Sequence, residues 1–454
     1  MKSIHARQSV GPGFLFLSLL LGGSVQSIRL NAVLQLIAIL LIAWALVEKK
    51  AAPINQQGRQ LLRWAVVPVV LVLLYLIPIP AFIWSRLPGR VPIALGFEQL
   101  GLHPSWQPMS VAPYDTITAG LTLLPPIAMI AVIVRLRAYS KTGLVAAMLL
   151  GAALGVGLGI VQLESGSENY YLQAEHNAGT ASGFFANPNH MATLLLMCIP
   201  FLAAIVRNQM DESSRNPRRS LGIIVAAMAG VVLAVLGLVL NRSGAGIALA
   251  VPVVLLSAMI VKTPPLMLAR PIIAIAVLSA LAFVCVLVVP VGKGMPAKMA
   301  NSVATRQEFL STGLKVAGDY FPFGSGIGTF APVYRLREDV QTLDLTAYVN
   351  HAHDDYLETL IEAGLLGIVL VVMFLIWFGR NCWRAVRQEP RDPIALAGGI
   401  AAATVLLHSV VDYPLRTSAL SVLFAVSVGM LIRARNDRDS RQGLRSARHI
   451  KIGV

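Results

Sequence analysis

The chain has 454 residues, of which 56% are hydrophobic and only 13% charged, with a formal net charge of +15. A soluble domain of this length carries about a quarter charged residues, and a transmembrane β-barrel shows short alternating strands rather than long apolar runs. Runs of about 17–25 apolar residues, each long enough to cross about 30 Å of hydrocarbon, exclude both classes. The predicted fold is all-α, a single polytopic membrane domain over residues 1–454.

About twelve spans are predicted in chain order, at 12–27, 29–48, 62–83, 115–134, 142–162, 190–206, 221–240, 244–261, 271–290, 357–379, 395–413 and 417–432. The first is short and Gly-rich, GPGFLFLSLLLGG. No small-x-small cleavage site follows it and the next span begins almost at once, so it reads as retained. With the N-terminus cytoplasmic, most Lys and Arg fall on the cytoplasmic side, among them Lys49, Lys50, Arg135, Arg218, Arg219, Arg384 and Arg387. This positive-inside asymmetry places both termini in the cytoplasm. The basic tail RARNDRDSRQGLRSARHIK reads as a solvated segment near anionic lipid, with no nucleic acid implied. Cys198, Cys285 and Cys382 lie in or beside spans, so no disulfide framework is expected.

Three exoplasmic segments are long enough to carry chemistry: 84–114, 163–189 and, longest, 291–356. Within the last, VATRQEFLSTGLKVAGDYF reads as an amphipathic helix, with Val303, Phe309, Leu310, Leu314 and Val316 at near-helical spacing and Arg306 and Lys315 among the polar positions. The Gly-rich FPFGSGIGTF follows no strand, so it is no dinucleotide fingerprint; its expected role is a tight turn that lets backbone come close to something. A short helix is predicted near 334–342.

Ionisable and amide side chains gather where spans meet the exoplasmic side. Asn187, Asn189 and His190 stand in FFANPNHM; Arg242 lies in the turn NRSGAG; His351, His353, Asp354 and Asp355 stand in HAHDDY; Glu358 and Glu362 follow on one helix face. HSVVDYPLR spaces His408, Asp412 and Arg416 by four, with Pro414 ending the helix. The bland readings are interface anchoring, packing and a structural Asp412–Arg416 ion pair. Arg242 resists them best, being an exoplasmic arginine in a tight turn against the charge bias.

HAHDDY is one residue from the H-x-H-x-D-H signature of metallo-hydrolases, with Tyr356 in place of the last His. A membrane helix follows instead of the required loop, and only His408 remains as a distant ligand, so no metal is assigned. General base catalysis fits better. A histidine at a cavity lip can take a proton from a sugar hydroxyl, Asp354 or Asp355 can orient it, and arginines can hold a diphosphate leaving group.

The motifs, taken together, resemble the O-antigen ligase family, whose characteristic domain is shared with O-antigen polymerases. SGFFANPNHMA is similar to its G-T-F-x-N-x-N-x-x-A span entry. LNRSGAGIAL resembles its S-R motif, with Asn241 where Ser is common. TRQEFLSTGLKVAGDYFPFGSGIGTF resembles its arginine-bearing loop helix and P-x-x-G-x-G turn, and HAHDDYLETLIEAGLLG its H-N-x-Y-L-x-x-x-x-E-x-G motif. The resemblance implies a GT-C-like membrane fold of about twelve helices, a catalytic region over 180–416 and a large periplasmic loop over 291–356. It implies an inverting, metal-independent and cofactor-free transfer of a glycan from undecaprenyl diphosphate to an acceptor hydroxyl, on the periplasmic face of a bacterial inner membrane. The acceptor is a glycan or glycolipid, either lipid A-core for a ligase or a lipid-linked repeat for a polymerase. His353 matches the base, with Asp355 and His351 in support. Arg242 and Arg306 match the diphosphate-binding arginines, with Arg416 a third candidate. Glu362 matches the family glutamate, and Asp354 stands where Asn is usual. Asn187, Asn189, His408 and Asp412 complete the candidate set. A flippase or transporter for the same lipid-linked glycan is the alternative class; it calls for charged groups at mid-membrane depth and on both faces.

Overall fold

The computed structural model describes residues 6–25, 28–49, 53–171, 180–213, 216–262, 297–338 and 349–432. Its helices in chain order are α1 (Val10–Leu21), α2 (Ile28–Val47), α3 (Gln56–Leu76), α4 (Ala81–Trp84), α5 (Val91–Gln99), α6 (Pro113–Thr122) and α7 (Leu124–Ala131). Then come α8 (Lys141–Ser165), α9 (Pro188–Glu212), α10 (Pro217–Asn241), α11 (Gly244–Lys262), α12 (Ala297–Tyr320), α13 (Phe330–Arg335), α14 (Asp355–Arg387) and α15 (Pro393–His408), and last α16 (Ser418–Ile432). Among the described residues, 8 helical stretches are long and apolar enough to cross a membrane, α6 and α7 forming one of them with the turn to Leu136. Each falls on a predicted span. The final two predicted spans are the shorter apolar helices α15 and α16. The first is the 12-residue α1, and 271–290 lies outside the described residues.

Helix starts follow local chemistry. Asn187, Asn216 and Asp392 each precede a proline that opens a helix, and each caps it with its side-chain oxygen, the Asx-Pro arrangement that satisfies orphan N–H groups. The bundle is organised on α9, whose apolar stretch is 89% buried against α8, α10, α11 and α15. Such all-round burial suits an all-round apolar helix.

Three departures from the predicted layout bear on the site. Two short strands, β1 (Pro78–Pro80) and β2 (Trp106–Pro108), pair antiparallel and close the segment between α3 and α6 into a stem. A short helix at Phe330–Arg335 overlaps only the start of the stretch expected near 334–342, of which 339–342 lie outside the described residues; its Pro332 is tolerated because it lies in the first turn. The eleventh span stops at His408 rather than running to 413, because the N–H groups of Val411 and Asp412 both turn back onto the His408 carbonyl, at 2.9 and 3.0 Å. His408, Asp412 and Arg416 therefore do not share a helix face.

The helix α14 is broken at Gly364, with φ 57° and ψ −145°. Its freed backbone groups bond to the Gly-rich turn. Ser325 N–H donates to Ile361 O at 3.0 Å, Gly326 N–H to Glu362 O at 2.9 Å, and Leu365 N–H to Pro322 O at 2.9 Å. A Cβ on Gly364 would collide with the Pro322 carbonyl, and one on Gly324 with the Glu362 carbonyl. The turn thus supplies the bonds that a break in a membrane helix must find within the protein.

Candidate active site

The site lies where the start of α9, the α10–α11 turn, the start of α14 and the segment after α15 meet. Its hub is Asp412, fully buried. The Asn187 Nδ2 donates to both its carboxylate oxygens at 3.1 and 3.0 Å, and Asn189 Nδ2 donates at 2.6 Å. The Tyr413 N–H adds a bond at 2.9 Å. The Nε2 of His190 lies 3.6 Å away, and Nδ1 of His353 lies 3.3 Å away. Burial alone would push this carboxyl up, but the facing His190 and His353 outweigh it and hold Asp412 well below the usual carboxylate range.

His353 reaches outward from this group, its side chain 29% exposed. Its ring stacks on Phe309 of α12, centroids 5.6 Å apart at 15°, and meets Tyr413 edge-on at 5.0 Å. With Nδ1 turned to Asp412, Nε2 is the nitrogen left for a substrate. The Tyr413 ring also contacts His190 at 4.9 Å and His351 at 4.2 Å, so one aromatic ring separates three imidazoles.

Two of the three non-glycine residues with left-handed φ among those described are in this site: His353, φ 50°, and Arg242, φ 57°. Such backbone is strained for an L-residue and clusters at functional positions. Arg242 caps the end of α10, is exposed, and its guanidinium makes no ion pair among the described residues. Its turn is nonetheless bonded to the hub: Ser243 Oγ donates to Asn189 Oδ1 at 2.6 Å, and Asn241 Nδ2 donates to the Ala181 and Pro188 carbonyls, both at 2.8 Å. Arg306, on the same helix as Phe309, donates from Nε to Val411 O at 3.2 Å, one residue before Asp412.

A second polar cluster lies beside the first. Arg416 meets Glu362 at 3.0 Å, Glu358 at 3.3 Å and Asp355 at 3.5 Å. Burial acts to lower the Arg416 pKa, yet the three carboxylates outweigh it and raise it above its ordinary value. His351 Nδ1 lies 2.9 Å from Glu358 Oε1, and Asp355 accepts from Ser409 Oγ at 2.7 Å.

These positions revise several sequence expectations. Neither Asp354 nor Asp355 orients His353. Asp354 caps α14 by accepting from the N–H groups of Tyr356 and Leu357 at 2.8 and 3.0 Å, a role Asn fills equally well. Burial pushes its carboxyl up to about 6. Asp355 faces Ser409 and Arg416. The Asp412–Arg416 pair does not form, since each has other partners. Arg416 is engaged by three acids of α14, which compete with a phosphate for its donors. His408 is a packing residue, fully buried, with Nδ1 2.7 Å from Thr193 Oγ1. The ionisable groups of HAHDDY diverge to different partners rather than to one centre. Ser243, Phe309 and Tyr413 were not anticipated; only their nearness in sequence to Arg242, Arg306 and Asp412 could have pointed to them.

No curated protein matches the chain. Residues 229–372 match the family model described as O-antigen ligase, a segment that includes Arg242, Arg306, His351, His353 and Glu362 but ends before Asp412 and Arg416. This segment, about a third of the chain, is therefore similar to the O-antigen ligase and polymerase superfamily.

Proposed function

We propose that the chain transfers a glycan from undecaprenyl diphosphate to an acceptor hydroxyl on the periplasmic face of a bacterial inner membrane. The observation that carries this reading is the His353–Asp412 pair: a partly exposed imidazole held by a buried, fully bonded carboxylate. As the acceptor oxygen attacks the anomeric carbon, its proton passes to His353 Nε2. The bond from that carbon to the diphosphate oxygen breaks, and undecaprenyl diphosphate leaves with the electron pair. Attack opposite the leaving group inverts the anomeric centre. Asp412 favours the imidazolium that forms and fixes which nitrogen faces the substrate. Arg242 and Arg306 take the charge growing on the diphosphate, for which guanidinium geometry is suited. His353, Asp412 and Arg242 stand at or just beyond helix ends, which suits a donor whose reactive carbon lies at the membrane surface.

The test is the length distribution of carrier-linked glycan in cells lacking the protein, complemented with wild type or with His353→Ala. Long carrier-linked chains cleared only by wild type identify a ligase. Accumulated single repeats identify a polymerase. Equal complementation by His353→Ala would sink the general-base assignment.

A further inference from the structure

One segment outside the site presents a surface that water does not suit. Residues 81–106, closed by the β1–β2 stem, fold between the ends of two membrane-spanning stretches, α3 and α6–α7. Large apolar side chains stand outward on it: Phe82 is 64% exposed, Val91 56%, Leu95 52%, Leu100 75% and Trp106 60%. The helix α5, VPIALGFEQ, has no buried residue at all. Phe97 on it meets the buried Trp84 ring at 6.5 Å, while Val91 and Leu95, four apart on one face, meet nothing that buries them. Against this stand only Arg86, Glu98 and His103 as exposed ionisable groups. An apolar surface of this kind on an extramembrane segment marks an interaction site.

The position identifies the occupant. β1 begins two residues after α3 ends, so the segment cannot stand far from the bilayer. Its apolar surface continues that of the flanking spans, where Ile77 is 50% and Tyr114 85% exposed. Outward Phe, Leu and Trp side chains match the apolar face of segments that lie in the headgroup–acyl boundary, where Trp is enriched. We propose that residues 81–106 form an interfacial foot inserted in the lipid leaflet on the site's side of the membrane. This proposal does not depend on the reaction assigned to the site.

The foot is also fastened to the site's scaffold. Arg90 is fully buried and donates to the carbonyls of Pro88 at 2.7 Å, Met109 at 2.9 Å and Gly324 at 2.9 Å. Its guanidinium lies 5.6 Å from the Tyr320 ring centroid. The Val111 N–H donates to Ser325 O at 2.9 Å, and the Tyr75 hydroxyl donates to Phe323 O. The Pro88 and Met109 bonds hold the foot to its own stem, while the contacts with Tyr320, Phe323, Gly324 and Ser325 end at the close of α12 or on the Gly-rich turn that holds the α14 break. Insertion of the foot therefore sets the depth of that turn, and with it of Glu362 and Arg416.

The experiment uses the full chain in bilayers whose lipids carry bromine near the headgroup, near mid-chain, or not at all. The Trp106 signal is the difference in fluorescence between wild type and Trp106→Phe. The expected result is strongest quenching by the shallow bromines with protection from aqueous iodide. Quenching by iodide with indifference to bromine would place Trp106 in water and overturn the proposal. Indifference to both would mean that protein covers it, which also overturns it. Should Trp106→Phe fold poorly, a spin label at Leu95→Cys, in a chain lacking its three native cysteines, gives the same decision: greater access to oxygen than to a water-soluble nickel chelate supports the foot, and the reverse refutes it.

Discussion

His353 Nδ1 lies 3.3 Å from Asp412 Oδ1, across a gap of more than fifty residues in sequence. Asp412→Asn keeps the shape and most hydrogen bonds but removes the charge that favours an imidazolium. General base catalysis contributes about 100-fold to 10,000-fold, and a loss in that range is expected in kcat for glycan transfer, with KM little changed. His353→Ala should lose a similar amount, and the double variant little more than either alone, since the pair acts as a unit. Steady-state transfer assays on reconstituted protein decide this; additive losses would separate the two roles.

The two arginines Arg416 and Arg242 should fail in opposite ways. Arg416→Met leaves three buried carboxylates facing one another, and breaking a buried ion pair costs about 3–5 kcal/mol. The variant should express poorly and melt early. Arg242→Gly removes an exposed side chain and relieves left-handed backbone, so its stability should stay within about 0.5 kcal/mol of wild type or rise, while transfer falls sharply. Melting curves beside activity assays would show the contrast, and an active Arg242→Gly would remove that arginine from the diphosphate site.

The Asp354 carboxyl is raised by burial from its ordinary 3.8 to about 6. The folded chain therefore keeps this proton over a pH window where the unfolded chain has lost it. Its contribution is fully present below about pH 4 and is lost as pH rises through about 6. Asp354→Asn removes that loss. The melting-temperature gap in favour of the variant should open between about pH 4 and 6 and stay flat above. Transfer should be retained, because His353 is held by Asp412.

Two glycines of α14 should respond oppositely to alanine. At Gly364, φ 57° with ψ −145° is backbone essentially confined to glycine, costing another residue about 1–3 kcal/mol, and the added carbon collides with the Pro322 carbonyl. Gly364→Ala should lower the melting temperature and activity together, by moving Glu362. Gly379 is helical with open space around its Cβ position, so Gly379→Ala should stabilise by about 0.5–1 kcal/mol. A neutral Gly364→Ala would mean that the break is not held by the turn.

How far the sequence could be read follows from the range of each interaction. The spans were legible because lipid thickness demands uninterrupted apolar length. The close approach expected of FPFGSGIGTF was legible too, though its partner, the backbone around Gly364, was not named. The residue opposite His353 was hidden because Asp412 reaches it only after α15 stops early, a consequence of local turn bonding at His408. The enclosure of Arg416 left a trace: Asp355, Glu358 and Glu362 recur at three and four residues, one acidic stripe on one helix face. A stripe of that kind in a membrane helix calls for a buried cation, and Arg416 is the cation it receives.

The left-handed backbone at His353 has a consequence for how such a chain would change over generations. A side chain required for chemistry occupies a position where glycine is the conformationally easier residue. Were the demand for transfer to lapse, substitutions there would meet little resistance from the fold and some encouragement. Asp412, enclosed on all sides by amides and rings, would be retained longer for solidity alone. A relative with the hub intact and glycine in place of the histidine would be the fossil of an abandoned activity, still well folded and no longer able to take a proton.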